Sequence, residues 1–168
     1  MRRFLSAVLL LVVSYPGWGQ SAQDNAVLAL QSQLIEILKL KDTTKFVSLI
    51  ASSGVTFGVD GDQQFKEQIQ EEFDQKRAAY CVLFDSKCLS RETPTRKRQL
   101  LRPCSAHDLV SRPDGWSMEH QTGFHDGRYE THLILKPNND YCSNGKDPIE
   151  FVFTEFADGW KLVGVGYE

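Results

Sequence analysis

Between Asn25 and Lys41 the apolar residues Val27, Leu30, Leu34 and Leu38 recur at intervals of three and four, with Leu28 and Ile35 widening the stripe. Gln31, Gln33, Glu36 and Lys39 fall on the other side, a pattern that predicts an amphipathic helix packed on a core. Phe46, Val47, Leu49 and Ile50 predict a short second helix ending near Ser52-Ser53-Gly54, and Val55 to Val59 a strand. A turn at Asp60-Gly61-Asp62 follows, with Asp62 placed to cap a third helix whose buried face is Phe65, Ile69 and Phe73. The stretch from Ala78 to Pro113 is the least regular: Tyr80 to Leu89 predicts a strand or hairpin, and Ala106 to Val110 a short helix. After Pro113 the pattern becomes β throughout. Trp116 to Phe124 and Arg128 to Lys136 flank Asp126-Gly127, a turn signal of the type I′ kind, and Ile149 to Phe156 pairs with Trp160 to Tyr167 through Asp158-Gly159. Between the hairpins lies a polar loop, Pro137 to Asp147.

This order of helix, short helix, strand, helix and β-meander, with Lys41-Asp42, Phe46 to Ile50 and Gly54-Val55-Thr56-Phe57, resembles the nuclear-transport-factor-2-like superfamily. The resemblance covers about Ala26 to Arg77 and Gly115 to Tyr167. It implies an α+β fold in which N-terminal helices pack on a strongly curved, mainly antiparallel, cone-like sheet enclosing a pocket, and 78–113 would be a cysteine-bearing irregular insertion. Members of the family include isomerases, dehydratases, hydrolases, binding modules and dimerisation domains, so the fold does not select a function. No family motif here carries a catalytic residue over.

The first nineteen residues change the picture of where the protein works. Arg2 and Arg3, the apolar run Phe4 to Val13, and the break at Pro16, Gly17 and Gly19 form the pattern of a secretory signal peptide cut after Gly19. The run is about half of the ~20 residues that a spanning helix needs. The expectation is therefore an exported protein, periplasmic or extracellular, with no membrane span and a single domain over residues 20–168. Cleavage would move the formal charge from −3 to −5, a balance that argues against nucleic-acid partners. The basic run Arg91, Arg96, Lys97, Arg98 and Arg102 is read as a solvated loop.

The four cysteines, Cys81, Cys88, Cys104 and Cys142, read as disulfides in an oxidising compartment. Three pairings are open; the preferred one joins Cys81 to Cys88 and Cys104 to Cys142, contributing ~2 and ~4 kcal/mol in the chain-entropy model. No Cys-x-x-Cys pair is present, so neither zinc nor thioredoxin-like redox chemistry is expected. Asp60-Gly61-Asp62 lacks the later ligands of an EF-hand.

Candidate chemistry comes from strand alternation. With a two-residue turn at Asp126-Gly127, His125 opposes Arg128, and one face collects Trp116, Met118, His120, Thr122 and Phe124 beside Tyr129, Thr131, Leu133 and Leu135. Glu119, Gln121, His125, Arg128, Glu130 and His132 take the other. His120 among apolar neighbours could act as a base, with Glu155 as acidic companion and Tyr129 or Thr131 orienting a substrate; the plainer reading is a core histidine. His120 faces away from His125 and His132, so no metal site is expected. Three functions remain. The first is a non-catalytic module binding a small apolar or amphipathic ligand or a protein partner through Trp116, His120, Phe124, Tyr129, Phe151 and Phe153, with no cofactor. The second is a small isomerase, dehydratase or hydrolase built on His120. The third is a homodimerising module using outer-face Val152, Val163, Val165 and Tyr167.

Overall fold

A computed structural model describes residues 17–58, 61–91, 104–138 and 148–167. Helix α1 (Gly17–Leu40) leads to α2 (Thr43–Leu49), strands β1 (Val55–Phe57) and β2 (Gln63–Gln64), α3 (Lys66–Asp74) and α4 (Ala79–Leu83). A 3-10 helix (Ser86–Arg91) and α5 (Ala106–Val110) precede the long strands β3 (Trp116–His125), β4 (Arg128–Pro137), β5 (Ile149–Phe156) and β6 (Gly159–Tyr167). The sheet order is β2-β1-β6-β5-β4-β3, antiparallel except where β1 runs parallel to β6. This is the α+β plan of helices on a curled, open sheet that the sequence led us to expect.

The α1 stripe is buried at Val27, Leu30, Leu34, Ile37 and Leu38, with Leu34 and Leu38 fully enclosed. Leu28 lies outside it and is exposed. The Asp42 side chain caps α2 by accepting from the Lys45 amide at 2.9 Å. Asp62, in contrast, does not cap α3. Gln63 and Gln64 pair with β1 first, so the helix starts later, with Phe65 at the cap position and its amide donating to Gln68 Oε1 at 2.8 Å. That placement leaves Phe65 half exposed, and α3 buries Ile69 and Phe73 without it.

The strand expected at Tyr80 to Leu89 is helical instead. Cys81, Val82, Leu83 and Phe84 are all buried, so the run is enclosed on every side, and an unbroken apolar run of that length fits a buried helix as well as a strand. Phe84 packs edge-on against Phe46 and Phe73 at centroid distances of 5.9 and 5.4 Å, and Tyr80 joins the cluster. Cys81 and Cys88 form a disulfide across the bend. Cys104 is also disulfide-bonded; its expected pairing with Cys142 lies outside the described residues, as do residues 1–16 of the expected signal segment and most of the basic run. Glu72 Oε2 accepts from the Ala79 amide at 3.0 Å and so satisfies the start of α4. Asp108 gathers Ser86, the Ser105 amide and the Ser105 hydroxyl, tying α5 to the disulfide segment. Burial raises the Asp108 pKa, but those hydrogen bonds outweigh it and hold the carboxyl below its ordinary value. His107 Nδ1 lies 2.9 Å from the Leu38 carbonyl, docking α5 on the end of α1.

The β3–β4 register is the one alternation predicted, from His125 opposite Arg128 to Trp116 opposite Pro137. Asp126 and Gly127 have φ of 48° and 79°, the positive values that a type I′ turn demands. The second hairpin departs from expectation. Phe156 pairs with Gly159, so Ala157-Asp158 make the turn, and the register shifts between Val152 and Phe153. That bulge inserts an extra residue into β6 and reverses its later alternation. Val165 pairs with Phe151 and is buried, and Tyr167 packs on the core, so neither belongs to the outer face assigned to it from sequence. Val152 and Val163 stay half-buried.

Candidate functional site

The inner sheet face divides in two. Leu133, Leu135, Ile149, Phe151, Phe153 and Leu162 are fully enclosed, and the helices lie over them. Phe151 and Phe153 thus sit within the packed core. Along β3 the same face is uncovered. Phe124 is 62% and Tyr129 41% exposed, and their rings meet edge-on at 5.0 Å. Thr122 and Thr131 hydroxyls bond at 3.0 Å beneath them. Trp116 and Met118, nearer the helices, pack against the core from its margin.

His120 lies on this open strip, exposed and directly opposite Leu133. Glu155 is two strands away and four residue positions further along the sheet, since His120 shares a row with Leu133 and Phe151. At about 4.8 Å between strands and 3.3 Å per residue, the two α-carbons are roughly 16 Å apart. No hydrogen bond or ion pair joins them among the described residues. The acid–base pair of the enzymatic reading is not assembled, and Tyr129 stands nearer Glu155 than His120 does.

Two groupings escaped the sequence reading. At the margin of the open strip a depression of about 450 Å³ is lined by Lys39, Val110, Ser111, Arg112, Pro113 and Trp116. Lys39 Nζ sits 6.0 Å from the Trp116 ring centroid, bringing a cation to an aromatic floor. Its volume is within the usual range for small-ligand sites. It is formed by the last turn of α1, the end of α5 and the start of β3, and only the fold brings these together.

The second grouping is on the outer face. His132 Nδ1 lies 2.8 Å from Glu150 Oε1, and Nε2 lies 2.8 Å from Glu130 Oε1. Only the imidazolium has an N–H for both carboxylates. Partial burial opposes that charge, but the hydrogen bonds and negative charges of Glu150 and Glu130 win, and the pKa is raised above its ordinary 6.5. Glu130 and His132 share a face two residues apart, which was readable from sequence; Glu150 arrives only through the β4–β5 register, His132 opposite Val152. A raised folded pKa means stabilisation fully present below the unfolded pKa and lost as pH rises through the folded one. We therefore expect His132→Gln to lower the melting temperature at about pH 5.5, by at most ~1 kcal/mol equivalent for so solvent-accessible a group, and to have little effect near pH 9. Melting curves at both pH values check this, and equal losses at both would show that the imidazolium is not the stabilising species.

No helix among the described residues is long and apolar enough to cross a membrane. No protein-family model matches the chain, and no curated protein does. Among solved structures, it is similar to a protein from Catenulispora acidiphila at 14% identity and TM-score 0.47, with 90% of this chain and 94% of that one covered. It is also similar to a nuclear-transport-factor-2-like protein from Cytophaga hutchinsonii, at 9% identity and TM-score 0.46, with 86% and 96% covered. A third is a protein of unknown function with a cystatin-like fold from Nostoc punctiforme, at 12% identity and TM-score 0.43, with 88% and 92% covered. These are likenesses of fold.

Proposed function

We propose that the protein is an exported, non-catalytic binding module that takes a small amphipathic ligand on the uncovered side of its sheet. The observation that carries this reading is the division of the inner face. Its deep part is filled by the protein's own side chains, while His120 and Phe124 on β3 and Tyr129 on β4 stay exposed and Trp116 stays partly so. The depression at Trp116 is the anchoring end of that strip. Lys39 at its rim favours a ligand with an anionic group, and Trp116, Val110 and Pro113 favour an apolar body. Export is supported by the arginine-led apolar N-terminus and by the oxidised cysteines.

Anilinonaphthalene sulfonate, an aromatic anion, is the probe of choice. Trp116→Ala should weaken its binding by about tenfold, the value of roughly one buried aromatic contact, and Lys39→Glu by a similar factor at low salt. Fluorescence titration of the folded variants measures both. Unchanged affinity in both variants would remove the depression from the account.

A further inference from the structure

The two edges of the sheet are treated very differently by the sequence. One ends in β2, only two residues long. The other is β3, ten residues in unbroken register with β4 and without proline, lysine, arginine or a bulge. Proteins ordinarily shorten, charge or bend a free edge because its unpaired amides and carbonyls invite another strand. Among the described residues no strand pairs with this edge, and its one carboxylate, Glu119, is already matched by Lys136 on the neighbouring strand.

The register shows which groups are free. In a two-residue type I′ hairpin the pair flanking the turn, His125 with Arg128, exchanges both backbone hydrogen bonds, and pairs alternate from there. The odd-numbered residues of β3 therefore bond inward to β4. Trp116, Met118, His120, Thr122 and Phe124 direct their amides and carbonyls to the outside. Pro137, opposite Trp116, falls at a position where β4 needs no amide toward β3, as this assignment requires. The same five residues place their side chains on the uncovered inner face.

We infer that the free edge of β3 pairs antiparallel with the same edge of a second copy of this chain, about a two-fold axis at His120. The five outward residues are nearly symmetric in character about that point, aromatic at both ends. Pairing about His120 sets Trp116 against the partner's Phe124 at each end and Met118 against the partner's Thr122, covering the phenyl ring that is 62% exposed in the single chain. Glu119 meets the partner's Gln121 rather than another carboxylate, and its own charge is already held by Lys136 at 2.6 Å. An arbitrary peptide would lack this self-matching, so a second copy is the occupant the edge fits. The result is one continuous sheet through both subunits, distinct from packing through the outer face.

The test is the mass of the purified, oxidised protein by light scattering over a concentration series, read with two variants. The native chain should approach twice its monomer mass. His120→Cys should form a disulfide-linked dimer on mild oxidation, whereas Val152→Cys on the outer face should not. His120→Lys, exposed and so compatible with folding, should weaken association by at least about tenfold by setting two cations on the axis. A monomer at every concentration overturns the inference, as does a dimer that cross-links through Val152→Cys and not His120→Cys. The mass series uses no ligand, so its outcome is independent of the probe titration.

Discussion

Phe151→Ala is expected to lower stability by about 3–5 kcal/mol, the cost of removing a large side chain from a site that cannot collapse. Phe151 is fully enclosed, lies between Leu133 on β4 and Val165 on β6, and faces the helices rather than a cavity. In a domain of this size that loss corresponds to a fall in melting temperature of roughly 10 °C. The substitution separates two pictures of the sheet. If the cone held an open ligand chamber, Phe151 would line it, and truncation would be cheap and would enlarge the site. With the chamber filled, truncation is costly and leaves probe affinity at Trp116 unchanged. Thermal unfolding together with the sulfonate titration distinguishes them.

The second large effect is expected at the short disulfide. Replacing both Cys81 and Cys88 by serine should cost about 2–3 kcal/mol in the chain-entropy model for so small a loop, plus a penalty for hydroxyls at two buried positions. The consequence should be local at first. The bridge holds α4 to the 3-10 helix, and Phe84 between them completes the ring cluster with Phe46 and Phe73. Chemical denaturation of the native protein in reductant should show a larger loss than the double variant does, because reductant also opens the disulfide at Cys104. A reduced protein as stable as the oxidised one would remove the structural reason for an oxidising compartment, and with it one support for export.

Most of the architecture was legible because its signals are local. The three-and-four spacing of Val27, Leu30, Leu34 and Leu38 locates α1, and Asp126-Gly127 fixes a register that carries down nine further pairs. What was not legible depends on chain segments meeting. The buried run around Cys81 to Phe84 has no period to separate helix from strand. The β6 bulge moves Val165 and Tyr167 to the opposite face without any local mark. Site residues fared by the same rule. Alternation set Trp116, His120, Phe124 and Tyr129 on one face, as the β3–β4 register has them, but which part of that face the helices cover is decided by packing. Lys39 enters the depression from the far end of α1, and Glu150 reaches His132 from eighteen positions further along the chain. His120 with Glu155 was the reverse case, two residues linked by face alone and kept apart by strand order.

The most direct test of the account is to locate the sulfonate probe by nuclear magnetic resonance, following the Trp116 indole N–H and the methyl groups of Leu133 and Leu135 during titration. Shifts are expected at Trp116 and along the inner face of β3, with the two leucines unmoved. Shifts concentrated at Leu133 and Leu135, with Trp116 unaffected, would place the ligand inside the sheet and contradict the filled core on which the proposed function rests.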